Sequence, residues 1–116
     1  MKDRKYTMIL KKYGIENKKD LYNMSIAPGI NMKTLAGQRI EIQGYLLTED
    51  ADRTSGEMKK TLKVLDKDGK VIGTTSSAFI EGFEKYLEFM DTEVVESFEI
   101  GKKLSKTGRD YLVFIA

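Results

Sequence analysis

The sequence contains no cysteine, no histidine and no tryptophan. Without cysteine the chain forms no disulfide and has no thiol nucleophile. Without histidine as well, it lacks the usual ligands of zinc sites and the general base of serine–histidine catalysis. The phosphate-binding patterns G-x-x-x-x-G-K-[ST] and G-x-G-x-x-G are also absent. These absences predict a protein that is not an enzyme and that has no catalytic residues, no metal and no cofactor.

Long apolar runs are absent too. No segment approaches the roughly 20 consecutive apolar residues that a membrane-spanning helix requires. The chain opens with MKDRK, and no apolar stretch of a secretory signal follows. We therefore expect a cytoplasmic protein that does not interact with the membrane.

The composition is that of one globular domain. The 116 residues are 41% hydrophobic and 33% charged, which is too apolar for a disordered chain. A chain of this length buries about two-thirds of the surface that its unfolded form exposes. One hydrophobic core is therefore expected, without disulfides or metals to support it.

Charge is distributed unevenly along the chain. The net charge is only +2, but residues 77–100 carry seven acidic side chains and one lysine, a net charge of −6. The two ends of the chain are basic, with +4 over residues 1–24 and +3 over residues 101–116. This asymmetry indicates a basic side that a polyanion could contact. The alternative is that a charged helix simply has a solvated face.

The N-terminal part shows a helical pattern. Tyr6, Ile9, Leu10 and Tyr13 have the spacing of one helix face. A second short helix is predicted after the N-cap Asn17. The turn around the single proline, in residues 27–29, then separates this part from the main body. We predict a helical N-terminal extension over residues 1–27 and a main domain over residues 28–116.

Alternation of apolar and polar residues begins at residue 38. It predicts strands over residues 38–46, 58–65 and 70–76, the last two joined by an Asp-Gly hairpin turn. An amphipathic helix follows, with the apolar stripe Phe79, Ile80, Phe83, Tyr86, Leu87 and Met90. Residues 94–104 and 111–115 then read as two more strands around a second hairpin turn.

The predicted order of the main body is β-β-β-α-β-β. This is the order of the five-stranded Greek-key barrel known as the OB-fold, in which the helix closes one end of the barrel. We therefore predict a mainly β protein of that class. An open antiparallel sheet with the helix laid across it is the alternative, and element order alone does not separate the two.

A candidate nucleic-acid surface follows from this fold. OB-folds bind ligands across the second and third strands, between the loop joining strands 1 and 2 and the loop joining strands 4 and 5. Binding of single strands needs cations for the phosphates and aromatic rings for the bases. The side chains that meet these needs are Tyr45, Arg53, Lys59, Lys63, Lys106, Arg109 and Tyr111. Tyr45 faces outward if Ile40, Ile42 and Leu46 face inward. Each of these side chains also has a structural reading, as a core tyrosine, a solvated lysine or a turn residue.

Several segments carry a resemblance to a known family. They are residues 34–42 of the first strand, residues 60–69 of the second strand and its hairpin, Ser76-Ser77 before the helix, residues 98–100, and residues 105–112. The most characteristic is the Ser-Lys-Thr-Gly-Arg turn at residues 105–109, followed by Tyr111. Over residues 34–116 the chain resembles the small single-stranded-DNA-binding proteins of tailed bacteriophages of Gram-positive hosts.

The resemblance implies an OB-fold that coats single-stranded DNA without sequence preference in phage DNA replication or recombination, in the cytoplasm of the host. The partners would be single-stranded DNA and phage or host replication and recombination proteins, and no cofactor is needed. The DNA surface would map onto Tyr45, Lys59, Lys63, Lys106, Arg109 and Tyr111. Cellular single-stranded-DNA-binding proteins carry an acidic tail for partner enzymes. We do not expect one here, which puts recruitment of partners through such a tail in doubt.

Residues 1–27 are not explained by the resemblance. They could pack on the barrel, cover a sheet edge or mediate a homodimer. A second hypothesis for the whole protein therefore stays open. It is a structural or adaptor barrel that contacts protein partners through its edge strand or its N-terminal helices and has no nucleic-acid role.

Overall fold

The computed structural model describes residues 6–51 and 54–116. Within them the chain forms seven strands in one curled, half-barrel sheet, together with two α-helices. The strands are β1 (Tyr6–Tyr13), β2 (Ile30–Asn31), β3 (Arg39–Ala51), β4 (Met58–Asp66), β5 (Val71–Thr74), β6 (Ser97–Leu104) and β7 (Asp110–Ile115). The helices are α1 (Lys18–Ile26) and α2 (Ser77–Met90), and a short 3₁₀ helix spans Met32–Leu35. Neither α-helix is long and apolar enough to cross a membrane.

The long strand β3 organises the sheet. Its first residues, 39–41, pair with β6, and residues 42–51 pair with β4 on the other edge. The resulting order is β2-β5-β4-β3-β6-β7, with β1 paired antiparallel to β3 along residues 45–51. In the part of the chain that the structure describes, β5 and β7 do not pair, so the sheet is open between them. From β3 onward, the strands and the helix follow the order predicted from the sequence.

The helix predicted over Tyr6 to Tyr13 is wrong, because this segment is β1. A bulge explains the misleading spacing. The register with β3 shifts between Ile9 and Lys11, which inserts Leu10 as an extra residue. Leu10 and Tyr13 therefore both pack against the main core, although they stand three residues apart. Within residues 6–27 the α-helical part is thus α1 alone, and β1 is part of the sheet.

Helix α2 covers the inner face of the sheet. Phe79, Phe83 and Leu87 are buried there, as the predicted stripe requires, and Ser76 caps the helix by accepting a hydrogen bond from the Phe79 amide. The rings of Phe79 and Phe83 each meet the ring of Phe114 on β7 edge-on, with centroids 5.7 and 5.6 Å apart. Met90, which was also predicted in the stripe, is exposed at the end of the helix.

Helix α1 covers part of the opposite, outer face. Its buried side chains, Leu21 and Met24, form a second, smaller core with Ile15 and with Leu46 of β3. Leu65 of β4 and Val71 of β5 pack against this cluster from the sheet. The predicted N-cap Asn17 is confirmed, since its Oδ1 accepts a 2.7 Å hydrogen bond from the Lys19 amide. The strand face that was predicted to bind ligand is therefore partly covered by the chain's own helix.

Candidate nucleic-acid interface

The pairing of the strands places three lysines on the outer face of the sheet. Directly opposed residues of antiparallel strands share a face. Lys12 of β1 lies opposite Leu46 of β3, which in turn lies opposite Lys63 of β4. Further along, Lys59 lies opposite Asp50. Lys12 was not among the predicted site residues, because its segment was interpreted as a helix.

Lys63 lies on the predicted face but is already hydrogen bonded. Its Nζ donates to the carbonyl oxygens of Ser25 and Ala27, at 2.7 and 2.6 Å. Burial lowers the pKa of this ammonium group, and the carboxylate of Asp50 acts in the opposite direction. In this conformation Lys63 therefore holds the C-terminal end of α1, and its predicted contact with a phosphate stays a prediction.

Tyr45 does not face solvent, so the prediction of an exposed stacking platform is wrong. Its side chain is fully buried, and its ring meets that of Phe83 edge-on with centroids 4.9 Å apart. Its hydroxyl donates a 2.7 Å hydrogen bond to the carbonyl oxygen of Glu93. Burial raises the pKa of Tyr45 to about 12, and the charges of Glu93 and Tyr13 add to the effect. Tyr45 is a core residue.

A second bulge explains the error at Tyr45. The pairing of β3 with β4 shifts register between Ile42 and Gly44, so that Gln43 is an extra residue. A one-residue shift moves every following side chain to the other face of the sheet. Ile42 therefore faces the inner core, Leu46 faces α1, and Tyr45 faces inward.

Lys59 is exposed on the outer face, as predicted. No ion pair to it occurs within residues 6–51 and 54–116. Its neighbour Lys60 behaves differently, because its Nζ lies 3.0 Å from a carboxylate oxygen of Glu84 on α2. Lys59 is thus the accessible cation of β4. Arg53, the other predicted residue of this end of the sheet, lies outside the described residues.

Residues 102–111 form what we call the basic hairpin. They carry four Lys or Arg residues and one aspartate. The turn is closed by a 2.8 Å hydrogen bond from the Ser105 amide to the Arg109 carbonyl, and Gly108 supplies the positive φ of 84° that the turn needs. Lys106 and Arg109 are exposed at its tip. Neither forms an ion pair in the described part of the chain.

Tyr111 adds an aromatic ring to the basic hairpin. It is 38% exposed and lies directly opposite Lys103, so both side chains project from one face of the β6–β7 pair. Lys102 projects from the other face and contacts Asp110 at 3.2 Å. Lys103 was not among the predicted residues, although the two-residue spacing of Phe98 and Ile100, continued along the strand, places it on the side opposite to theirs.

The predicted site residues therefore fall into two groups. The basic hairpin brings together Lys106, Arg109 and Tyr111, to which the structure adds Lys103. Lys59 belongs to the other group, near the turn that joins β3 and β4. The pairing of β6 with residues 39–41 directs the basic hairpin beyond the start of β3, whereas Lys59 lies beside the end of that strand. No hydrogen bond or ion pair links the two groups within the described residues.

Comparison with protein-family models, with curated proteins and with solved structures finds no match to this chain. The resemblance to phage single-stranded-DNA-binding proteins therefore depends on the sequence patterns alone. Function has to be argued from the exposed cations and the exposed ring.

Proposed function

We propose that this protein binds single-stranded DNA without sequence preference. The observation that carries the proposal is the basic hairpin, where the half-exposed ring of Tyr111 lies opposite Lys103 and the adjoining turn exposes Lys106 and Arg109. Single-strand binding proteins combine cations that follow the phosphates with rings on which bases stack. Stacking accepts every base, because each has a π-face, and the charge contacts read no sequence at all.

The sheet supports this proposal through its order. The spatial order β5-β4-β3-β6-β7, with α2 between β5 and β6 in sequence, is compatible with an OB-fold that is open between its third and fifth strands. We propose that the main body is such an OB-like half-barrel. The basic hairpin then corresponds to the loop between strands 4 and 5, which borders the ligand groove in this class of fold.

The proposed role is coating of DNA rather than its chemical conversion. A protein of this kind would protect exposed single strands during DNA replication or recombination, as the resemblance to phage proteins implies. The accessible cations on which we base it are Lys59, Lys103, Lys106 and Arg109.

One observation favours a second candidate function. Helix α1 lies on the part of the outer face where an OB-fold would hold its ligand, and Lys63 is occupied by α1 carbonyls. A barrel whose groove is filled by its own helix could not bind nucleic acid there. It could still act as an adaptor that contacts protein partners through other surfaces. The two candidates differ in whether oligonucleotides bind at all.

A gel shift with labelled oligo(dT), at low and at moderate salt and with duplex DNA as competitor, tests the proposal. We expect a shift that duplex DNA competes poorly. Replacing both Lys106 and Arg109 by alanine should weaken it. The control variant with Lys67 and Lys70 replaced by alanine removes the same charge from the β4–β5 turn and should bind normally. Absence of any shift at low salt would refute the proposal and favour the adaptor.

A further inference from the structure

The segment between Gly14 and Gly29 lies across the sheet as a bridge with two fixed ends. Both glycines have positive φ, 76° and 66°. A Cβ on Gly14 would collide with the carbonyl oxygen of Gln43, and one on Gly29 would lie 3.0 Å from that of Val71. The backbone thus touches the sheet closely at each end, and α1 lies between these points.

The contact between α1 and the sheet is narrow. Leu21 and Met24 are the buried side chains of the helix. On its solvent side, Tyr22 and Ile26 are 63% and 60% exposed. An open groove of about 270 Å³ runs between the helix and the sheet, lined by residues that include Met24, Leu65 and Val71. This contact between α1 and the sheet, which we call the seam, is therefore small and incompletely packed.

Lys63 is the polar attachment of α1. The last turn of the helix contains no basic residue, and Lys63 of β4 supplies the cation that its carbonyl end favours. The bonds to Ser25 and Ala27 satisfy an ammonium group that would otherwise be directed at solvent on the outer face. If α1 moved away, the same group would be available to a phosphate oxygen, which is a stronger, charge-assisted acceptor than a carbonyl.

We propose that α1 is a displaceable cover of a single-strand site on β3, β4 and β5. In the free protein α1 occupies the site, and on binding Lys63 exchanges the carbonyls of Ser25 and Ala27 for phosphate. The uncovered surface continues the exposed side chain of Lys59 and the half-buried Thr61 of the same strand. This inference rests on the proposed function and concerns its regulation, because a ligand must first displace α1.

If α1 covers the site, weakening its contact with the sheet should increase the affinity for single-stranded DNA. If α1 has only a structural role, the same change should not increase it. Leu21→Ser removes an apolar side chain from the seam but leaves every cation in place. If only a fraction of the molecules has the site uncovered, the apparent affinity equals the intrinsic affinity multiplied by that fraction. If α1 is closed about 90% of the time or more, the affinity of Leu21→Ser for oligo(dT) should rise by about tenfold or more. Tyr22→Ser, on the exposed side of α1, is the matched control and should bind like the parent.

Hydrogen exchange of the unmodified protein gives a second readout that does not depend on a variant folding. Addition of oligo(dT) should speed exchange of the α1 amides, residues 18–26, and slow exchange in β4. If oligo(dT) binds but α1 becomes more protected, or if a folded Leu21→Ser binds no more tightly, α1 is not a cover and the proposed function stands. If neither the parent nor Leu21→Ser binds oligo(dT), the proposed function fails and the cover with it.

Discussion

The hydroxyl of Tyr45 donates a 2.7 Å hydrogen bond to the carbonyl oxygen of Glu93 and so joins the middle of β3 to the segment that follows α2. The ring lies between those of Tyr13 and Phe83, at centroid distances of 5.9 and 4.9 Å. This tyrosine therefore links β1, β3 and α2 at the centre of the main core.

Tyr45 makes the stability of the protein depend on pH in the alkaline range. Its pKa is raised from 10.0 to about 12 in the folded state. Between these values the unfolded chain loses the proton and the folded protein keeps it, so the free energy of unfolding falls as pH rises. The full loss is about 2–3 kcal/mol. Denaturant unfolding from pH 9 to pH 12 should show this loss in the parent.

The variant Tyr45→Phe isolates that effect. It should cost about 1 kcal/mol at neutral pH, where the hydrogen bond is lost. As pH rises toward 12 this disadvantage should disappear and then reverse, because the parent loses about 2–3 kcal/mol and the variant does not. Tyr22→Phe, at an exposed position of α1, should change neither the stability at neutral pH nor its dependence on pH. A difference between parent and Tyr45→Phe that stays constant with pH would contradict the assignment of Tyr45 to the core.

Phe83 and Phe89 lie on opposite sides of α2 and make a matched pair. Phe83 is fully buried, whereas Phe89 is 88% exposed. Phe83→Ala should lower the free energy of unfolding by about 3–5 kcal/mol, because it leaves a cavity in the core. Phe89→Ala should change it by no more than about 0.5 kcal/mol. Equal melting temperatures for the two variants would show that α2 does not pack as described.

Gly44 is needed where β1 leaves the sheet. A Cβ at this position would lie 2.6 Å from the carbonyl oxygen of Tyr13, so the backbone would have to shift. We expect Gly44→Ala to destabilise the protein by about 1–3 kcal/mol in thermal or denaturant unfolding. At Gly73, in the same sheet, the nearest atom to a new Cβ is 3.5 Å away. Gly73→Ala should therefore be nearly neutral, and an equal loss in both variants would refute the close approach at Gly44.

Substitutions at Tyr111 and Arg109 distinguish the contribution of base stacking from that of charge. Tyr111→Ala should cost about 1–3 kcal/mol of affinity for oligo(dT) and leave the salt dependence unchanged, whereas Tyr111→Phe should cost little. Arg109→Ala should reduce the slope of log affinity against log salt by about 0.7. Fluorescence anisotropy titrations of folded variants measure both quantities. A folded Tyr111→Ala that binds like the parent would show that this ring does not stack on bases.

The regular elements of the fold could be predicted because their patterns are local. The stripe from Phe79 to Leu87 repeats every three or four residues, and the turns at residues 66–70 and 105–109 carry glycine where positive φ is needed. These signals require no knowledge of distant residues. The strands β3 to β7 and helix α2 follow from them.

The bulges and the covering helix could not be predicted in the same way. Leu10 and Gln43 are extra residues in their strands. The paired residues beside them are Leu47 and Thr48 for Leu10, and Leu65 and Asp66 for Gln43, and nothing in the local sequence indicates the shift. One bulge made β1 resemble a helix, and the other reversed the face of Tyr45. The engagement of Lys63 likewise depends on α1, which lies far from it in sequence and reaches it only in the folded chain.

The central claim is that exposed cations hold the phosphates of a single strand. The most direct test is the affinity for oligo(dT), measured by fluorescence anisotropy across a range of salt concentrations. Four contacts, from Lys59, Lys103, Lys106 and Arg109, predict a slope of about −3 in log affinity against log salt, and a fifth from Lys63, when α1 is displaced, makes it steeper by about 0.7. Binding that does not change with salt, or no saturable binding at the lowest salt, would contradict the account.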